Sequence, residues 1–422
     1  MKRITILLLT IIFLSAPFVF GGGSSQSGTA KGTNLSLVLW DKDTIPFCEE
    51  IHTNFAKINP GVTITIDQIP GDTYINVIST RLAANNAPDV FKFFGGNIID
   101  MAKEGYWGDL SSEAFASRLS QGFKESASYN GKLYAYPMNC SGNGIFYNKK
   151  VFADAGVGIP GTYAEFLTVC EAIRAKGIAP IVVGAKDGWP LQHMMSAYAV
   201  SFNTLTFPNF PYDQRDGKIT FAASKWPLMF QKIQELYDKG YIMAGVLGMT
   251  HEQADEAVAT GRVGMYMNGS WTIAEMLRIN PNADIGAFIL PNDEGKQGMS
   301  AFIDKAIGYS PKGANVGLAK ALVSFYAEPE SVRIFLNGTQ TLPCVIDVQP
   351  DSLPAASVEY ANLISKFPVF PFFENLSIPP SVGQVYMDCM QGIFSGQKNI
   401  IGNAIADMDK TYQLDKGTIV WP

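Results

Sequence analysis

Apolar residues recur along this chain with two spacings, and the alternation between them sets the order of elements. Residues 35–39 are a short, mostly apolar run, after which Phe47, Ile51, Phe55 and Ile58 fall at helical spacing behind Pro46. A proline suits the first turn of a helix, where its fixed φ is already helical and its missing N–H has no partner to lose. Asn59-Pro60-Gly61 ends that helix, and Val62, Ile64 and Ile66 then alternate with Thr63 and Thr65 as a strand does. A helix over 73–84 and an apolar strand over 90–94 follow, closed by Gly95-Gly96-Asn97. Strands alternating with helices predict an α/β chain built on parallel sheet.

The same pattern continues downstream. Residues 134–137 read as a short β segment before a polar, glycine-containing run at 139–144. Thr162 and Glu165 stand at capping-box spacing ahead of a helix faced by Phe166, Val169, Cys170 and Ile173. A buried strand over 181–184 leads to Asp187-Gly188-Trp189-Pro190, which places Trp189 in the loop after a strand. Residues 203–218, rich in Pro, Phe and Asn, read as a substrate-side insertion or lid, or else as a surface patch without a role. Trp226 opens a helix over 226–239 and reads as structural.

The most informative stretch is Gly261 to Trp271, GRVGMYMNGSW. A helix over 252–260 stops at Gly261, which can take a left-handed cap, and 263–267 is a short buried strand. Ser270 is a good N-cap for a helix over 272–278, so Trp271 sits past a strand's carboxyl end. Ligands of open α/β sheets bind at that edge. The ring is either a stacking platform or a core aromatic. Further on, an apolar strand covers 285–290, and a strand over 301–309 is interrupted by Asp304 and Lys305. Either that pair bonds locally, or Asp304 accepts hydrogen bonds from a ligand's hydroxyls. Helices over 315–327, 330–336, 382–394 and 399–412 complete the chain.

With 422 residues, 47% of them hydrophobic, the chain is too long for one ordinary core, and two lobes are expected. A net charge of −6 with no basic cluster argues against nucleic acid. Cys48, Cys140, Cys170, Cys344 and Cys389 are far apart with no C-x-x-C, so buried free thiols are expected rather than a zinc site or a disulfide framework. The three histidines, His52, His193 and His251, have no ligand-spaced partners, and His52 and His251 read as surface residues. No G-x-S-x-G, H-E-x-x-H or G-x-x-x-x-G-K motif occurs, so no catalytic residue, cofactor or metal is predicted.

Lys2 and Arg3 precede an apolar stretch over 4–20, with Val19 and Gly21 at the small-residue positions of a peptidase site. These features predict an export signal over 1–21, followed by a flexible Gly/Ser linker over 22–34. No cysteine stands at the cleavage point to carry a lipid.

LVLWDKDTIPFCEEIHTNFAKINPGVTITI, APDVFKFFGGN and GYWGDLS resemble the first lobe of bacterial extracellular solute-binding proteins. That is the sugar-binding, maltose-binding-protein-like family that serves ATP-driven importers. LYAYPMNCSGNGIFYNKKVFADAGV is similar to the family's crossover region, and GRVGMYMNGSW to its second lobe. The resemblance implies a two-lobed periplasmic-binding-protein fold of type II-like form, each lobe a mostly parallel sheet flanked by helices, joined by a three-crossing hinge. Its lobes would be 35–139 with 288–307, and 140–287 with 308–422. It implies a sugar or oligosaccharide held between the lobes and passed to the permease subunits of an ABC transporter. It also implies a monomer without cofactor, exported to the periplasm or the outer face of the cytoplasmic membrane. Trp40, Trp189 and Trp271 would stack on the sugar, with Gly269 beside them. Asp41, Asn97, Ser141 and Asp304 would make polar contacts. Ser141 is assigned by its place four residues after Pro137, where the family more often has a carboxylate or its amide. No arginine lies in the assigned loops, which favours a neutral sugar over an anion. A non-sugar solute such as a polyamine is the alternative, and a secreted glycoside-acting enzyme a further one.

Overall fold

The computed structural model describes residues 32–372 and 378–419. The expected leader over 1–21 and residues 22–31 of the linker lie outside the described residues. Thr33 and Asn34, expected in the linker, are already strand. β1 (Thr33–Leu39) runs parallel to β2 (Val62–Gln68) from Thr33 opposite Val62 onward, and β3 (Val90–Phe94) flanks β1 in parallel on its other side. A small hairpin, β4 (Ser128–Tyr129) with β5 (Lys132–Leu133), precedes the long β6 (Tyr136–Asn148). β7 (Ala179–Val182), β8 (Val263–Gly269), β9 (Ile285–Phe288), β10 (Met299–Tyr309) and β11 (Val369–Pro371) follow. The main sheet runs β2-β1-β3-β10-β6-β8-β7, with β9 added on β6 and β11 on β10. Its outer pairs are parallel, and the pairs made by β6 with β8, β9 and β10 are antiparallel.

Two hydrophobic cores divide this sheet. The first gathers Leu35, Leu37 and Leu39 of β1 with Phe91 and Phe93 of β3, and ends on β6 at Cys140. The second begins on β6 at Ile145 and includes Ile181, Met265 and Met267 of the strands behind it. β10 makes the return, with Met299 in the second core and Ile303 in the first. A third passage lies between Val348 in the first core and Ala356 in the second. Three chain crossings therefore join two lobes, the expected architecture.

The partition of the chain between the lobes differs from expectation. Residues 288–290, expected in the first lobe, belong to the second: β9 pairs with Ile145–Asn148 of β6, and Phe288, Ile289 and Leu290 are in the second core. Helices Val316–Tyr326 and Pro329–Thr339, expected in the second lobe, bury Leu322, Val323, Tyr326, Phe335 and Leu336 in the first. Phe325 packs edge-on to Phe55, and the Tyr326 hydroxyl lies 2.7 Å from His52 Nε2. His52 is consequently buried rather than on the surface. Helical spacing shows that a face is apolar; it does not show which core receives it.

Residues 203–218 form no lid. Phe202 and Phe210 sit in the second core around a short helix, Phe210–Arg215, and the Asn203 side chain accepts from the Lys225 N–H. Trp226 is buried in the same core, as expected. Gly261 takes the left-handed conformation (φ +75°), also as expected. All five cysteines are free and buried.

At the first crossing, Gly142 lies so close to β10 that a Cβ there would stand 2.5 Å from both the Ser300 carbonyl oxygen and the Tyr360 hydroxyl. Gly142→Ala is expected to lower stability by about 1–3 kcal/mol through overpacking, read from the urea midpoint. An unchanged midpoint would show that β6 and β10 can part without cost.

Candidate functional site

The carboxyl ends of β1 and β3 bring Trp40, Asp41 and Asn97 to one edge of the first lobe. Beneath them lies Lys92, a fully buried lysine on β3. Its ammonium donates to both Asp41 carboxylate oxygens at 3.0 and 2.9 Å and to Thr44 Oγ1 at 2.8 Å, and it sits 5.2 Å from the centre of the Phe335 ring. Asp41 is thus a fixed carboxylate rather than a simple turn residue. Its sequence offered no hint of the lysine, which a five-residue apolar strand conceals. Trp40 packs on Phe94 (ring centres 4.1 Å apart) and Tyr74 (5.2 Å), half-buried against its own lobe. Asn97 closes a single turn after β3, is half-buried, and makes no recorded side-chain hydrogen bond among the described residues.

The crossing strands supply the floor. The register of β10 against β6 shifts on both sides of Lys305, a bulge that the Asn139 side chain braces. Asn139 Oδ1 accepts from the Lys305 N–H at 3.2 Å and Nδ2 donates to Asp304 Oδ2 at 2.9 Å. The Lys305 ammonium meets the same Asp304 oxygen at 2.6 Å. The charged pair in this strand therefore bonds locally, but through Asp304 Oδ2 alone; Oδ1 has no hydrogen-bond partner among the described residues. Burial alone would lower the Lys305 pKa, but the carboxylates of Asp304 and Asp41 outweigh it and hold the ammonium above its ordinary value. Ser141, buried on β6, lies 2.6 Å from Ser270 Oγ and ties the crossing to the end of β8. Ser270 is thereby engaged elsewhere and does not cap the next helix; Trp271 occupies the cap position, without a side-chain hydrogen bond.

On the second lobe the ends of β7 and β8 bring Trp189 and Trp271 together, ring centres 6.0 Å apart at 50°. A Cβ on Gly269 would lie 2.0 Å from the Trp271 ring, so Gly269 acts by letting that ring lie across the backbone. His193 stands between the two tryptophans and two phenylalanines. Its ring centre is 5.5 Å from Trp189, 4.9 Å from Trp271, 6.1 Å from Phe302 and 5.4 Å from Phe372. Sequence spacing singled out none of His193, Phe302 or Phe372. A proline-led helix after Trp189, Pro190–Tyr198, was the available signal for the first. Burial pushes the His193 pKa down to about 3. His251, expected on the surface, packs 4.9 Å from Trp189 and lies 3.0 Å from Asp187 Oδ2. With Glu252 these two offer ligand atoms within 4.8 Å of one another, but Asp187 Oδ2 already takes the His251 backbone N–H.

Beneath Trp271, the fully buried Asp255 accepts from Thr272 Oγ1, and burial together with neighbouring Glu275 raises its pKa well above the carboxylate range. His52 is lowered to about 4 by burial and then by the Lys92 charge.

The structure thus sets an aromatic cluster on the second lobe, and lysine-braced carboxylates on the first lobe and the crossing strand β10. Over residues 42–333 the sequence matches the bacterial extracellular solute-binding proteins, and the chain belongs to that family. Membership places it among binding proteins rather than enzymes. A melibiose/raffinose/stachyose-binding protein of Bacillus subtilis is 23% identical over 91% of this chain and 90% of its own. A multiple sugar-binding protein of Streptococcus mutans is 23% identical over 77% and 79% respectively. Among solved structures, a Bacillus licheniformis sugar transporter in complex with stachyose superposes with a TM-score of 0.77 at 20% identity, covering 90% of this chain and 100% of that one. A chitin oligosaccharide binding protein reaches 0.81 at 22% identity, covering 92% and 100%. Among the described residues no helix is long and apolar enough to cross a membrane.

Removing the Asp41 carboxylate strands a buried ammonium. Asp41→Ala is therefore expected to cost about 3–5 kcal/mol of stability, against under about 1 kcal/mol for an exposed pair such as Lys150 with Asp154; urea unfolding measures both. The two lowered histidines make stability fall as pH drops below 6.5, because the unfolded chain takes up protons that the folded one refuses until about pH 4 and pH 3. The raised Asp255 acts with the opposite sign, losing stability as pH rises. His52→Gln is expected to reduce the slope of stability against pH between 4.5 and 6 by about 1.4 kcal/mol per unit. An unchanged slope would show that His52 is charged in the folded protein.

Proposed function

We propose that this protein captures a neutral oligosaccharide in the cleft between its lobes and delivers it to the permease subunits of an ABC importer. The observation that carries the reading is the Trp189–Trp271 pair, opposite carboxylates that are already neutralised from within. Indole faces cover the C–H surface of a pyranose, while fixed carboxylates and amides accept from its hydroxyls. Asp41 is answered by Lys92 and Asp304 by Lys305, so the cleft offers oriented acceptors without a net charge to attract an ion. A polyamine site would need unpaired acids and an anion site unpaired cations. Trp40, Asn97, Ser141 and Gly269 complete the proposed set, the last two by shaping the crossing and the Trp271 ring. The relatives' names, which speak of raffinose, stachyose and related sugars, support the same class. Three crossings allow the lobes to close on the ligand as about a hinge. The positive, then apolar amino-terminus supports export to the periplasm or the outer face of the cytoplasmic membrane.

Titrating the mature domain with neutral mono- and oligosaccharides, followed by tryptophan fluorescence and calorimetry, tests the reading. One sugar class is expected to give a saturable, micromolar or tighter response, and a response only to polyamines or anions would refute it. Trp271→Ala is expected to weaken that sugar by about 1–3 kcal/mol with little change in Tm. A large fall in Tm at unchanged affinity would make the ring a core aromatic.

A further inference from the structure

His193 is built unlike a core histidine. Four aromatic rings surround it, and the two it faces in near-parallel planes, Phe302 at 28° and Phe372 at 23°, fix its tilt. One polar partner fixes its rotation: Nδ1 lies 2.7 Å from Asn143 Oδ1. With the amide oxygen turned to the ring, Nδ1 carries the proton and Nε2 keeps a lone pair that no described residue uses. Asn143 is itself buried, at 3% exposure, and its Nδ2 has no partner among the described residues. A buried amide that leaves its donor unused in order to hold one imidazole costs stability, and such costs persist where orientation matters.

We infer that His193 is a specificity-determining residue of the cleft, accepting a ligand hydroxyl through Nε2 between Trp189 and Trp271, and that Asn143 is its positioning residue. This rests on the sugar-binding reading above. An indole pair is indifferent to which pyranose lies on it, since each presents C–H surface. A single acceptor held in a fixed orientation beside the rings is not, because only a sugar with a hydroxyl at the matching carbon satisfies it. Burial keeps the ring neutral across ordinary pH, so the acceptor is always present. The ring's recorded contacts are the four aromatics and Asn143, with no charged side chain among them; His251 packs on Trp189 instead.

The test uses the mature protein with raffinose, stachyose and chitooligosaccharides, and three variants. Should the wild type bind none of these or any other neutral sugar, the sugar reading falls and this inference with it. For the sugar that binds, His193→Phe keeps a ring against Phe302 and Phe372 but has no acceptor, and is expected to bind at least tenfold more weakly with tryptophan fluorescence still responsive. His193→Gln, which restores a polar acceptor, is expected to recover part of that loss, and Asn143→Ala to lie between wild type and His193→Phe. Affinity within twofold of wild type in His193→Phe would overturn the inference while leaving the sugar reading intact. Imidazole ¹⁵N spectra of the unliganded protein are expected to show a neutral ring protonated at Nδ1 from pH 5 to 8. A ring protonated at Nε2, or charged in that range, would overturn the assigned role as acceptor.

Discussion

Everything in this protein depends on two strands that each belong to two cores. β6 enters at Tyr136 in the first core and reaches the second at Ile145 to Tyr147, and β10 makes the opposite journey beside it. Their antiparallel pairing joins the lobes, and it must be tight enough to transmit load yet irregular enough to carry chemistry. The irregularity is local and braced. A bulge at Asp304 and Lys305 turns two charged side chains aside, and Asn139 satisfies the backbone N–H that the bulge would otherwise orphan. Glycines 142 and 144 on β6 let neighbouring backbone and the Tyr360 ring approach where no Cβ would fit without displacement.

The cleft's electrostatics follow from that arrangement. Buried ammonium groups are tolerable only when their partners are fixed, and fixing the partner converts a mobile carboxylate into an oriented acceptor. Lys92 and Lys305 therefore do for Asp41 and Asp304 what a helix terminus does for a bound anion elsewhere. The opposite wall is organised by shape rather than charge, since the Trp271 ring lies where Gly269 has no side chain. The two regions thus differ in kind, one held by charge pairing and the other by ring packing.

Much of the architecture was legible in the sequence. The alternating strands and helices of residues 35–94, the Gly261 cap and the tryptophans past strand ends stand where the pattern placed them, whereas the polar run 139–144 is part of the long strand β6. Three things were hidden, each for a physical reason. An amphipathic helix advertises a face without naming its recipient, so the sequence does not show that Val316–Tyr326 and Pro329–Thr339 pack into the first lobe. The role of the lysine within the apolar run 90–94 does not show in the local pattern, because its partner Asp41 lies 51 positions earlier in the chain. His193 has no periodic signature at all, because apart from Trp189 its neighbours Asn143, Trp271, Phe302 and Phe372 arrive from four separate parts of the chain.

The discontinuity of the first lobe has a consequence for how the chain matures. β1 begins at Thr33, but the core it enters also needs Leu322, Val323, Phe335 and Leu336, close to 300 residues later. A polypeptide emerging from its amino-terminal end cannot complete that core until roughly four-fifths of it has been made. Stable early folding is an obstacle to any chain that must pass a membrane pore in extended form. Weaving the chain from Leu322 to Val348 back into the first lobe postpones that commitment until about four-fifths of the polypeptide exists.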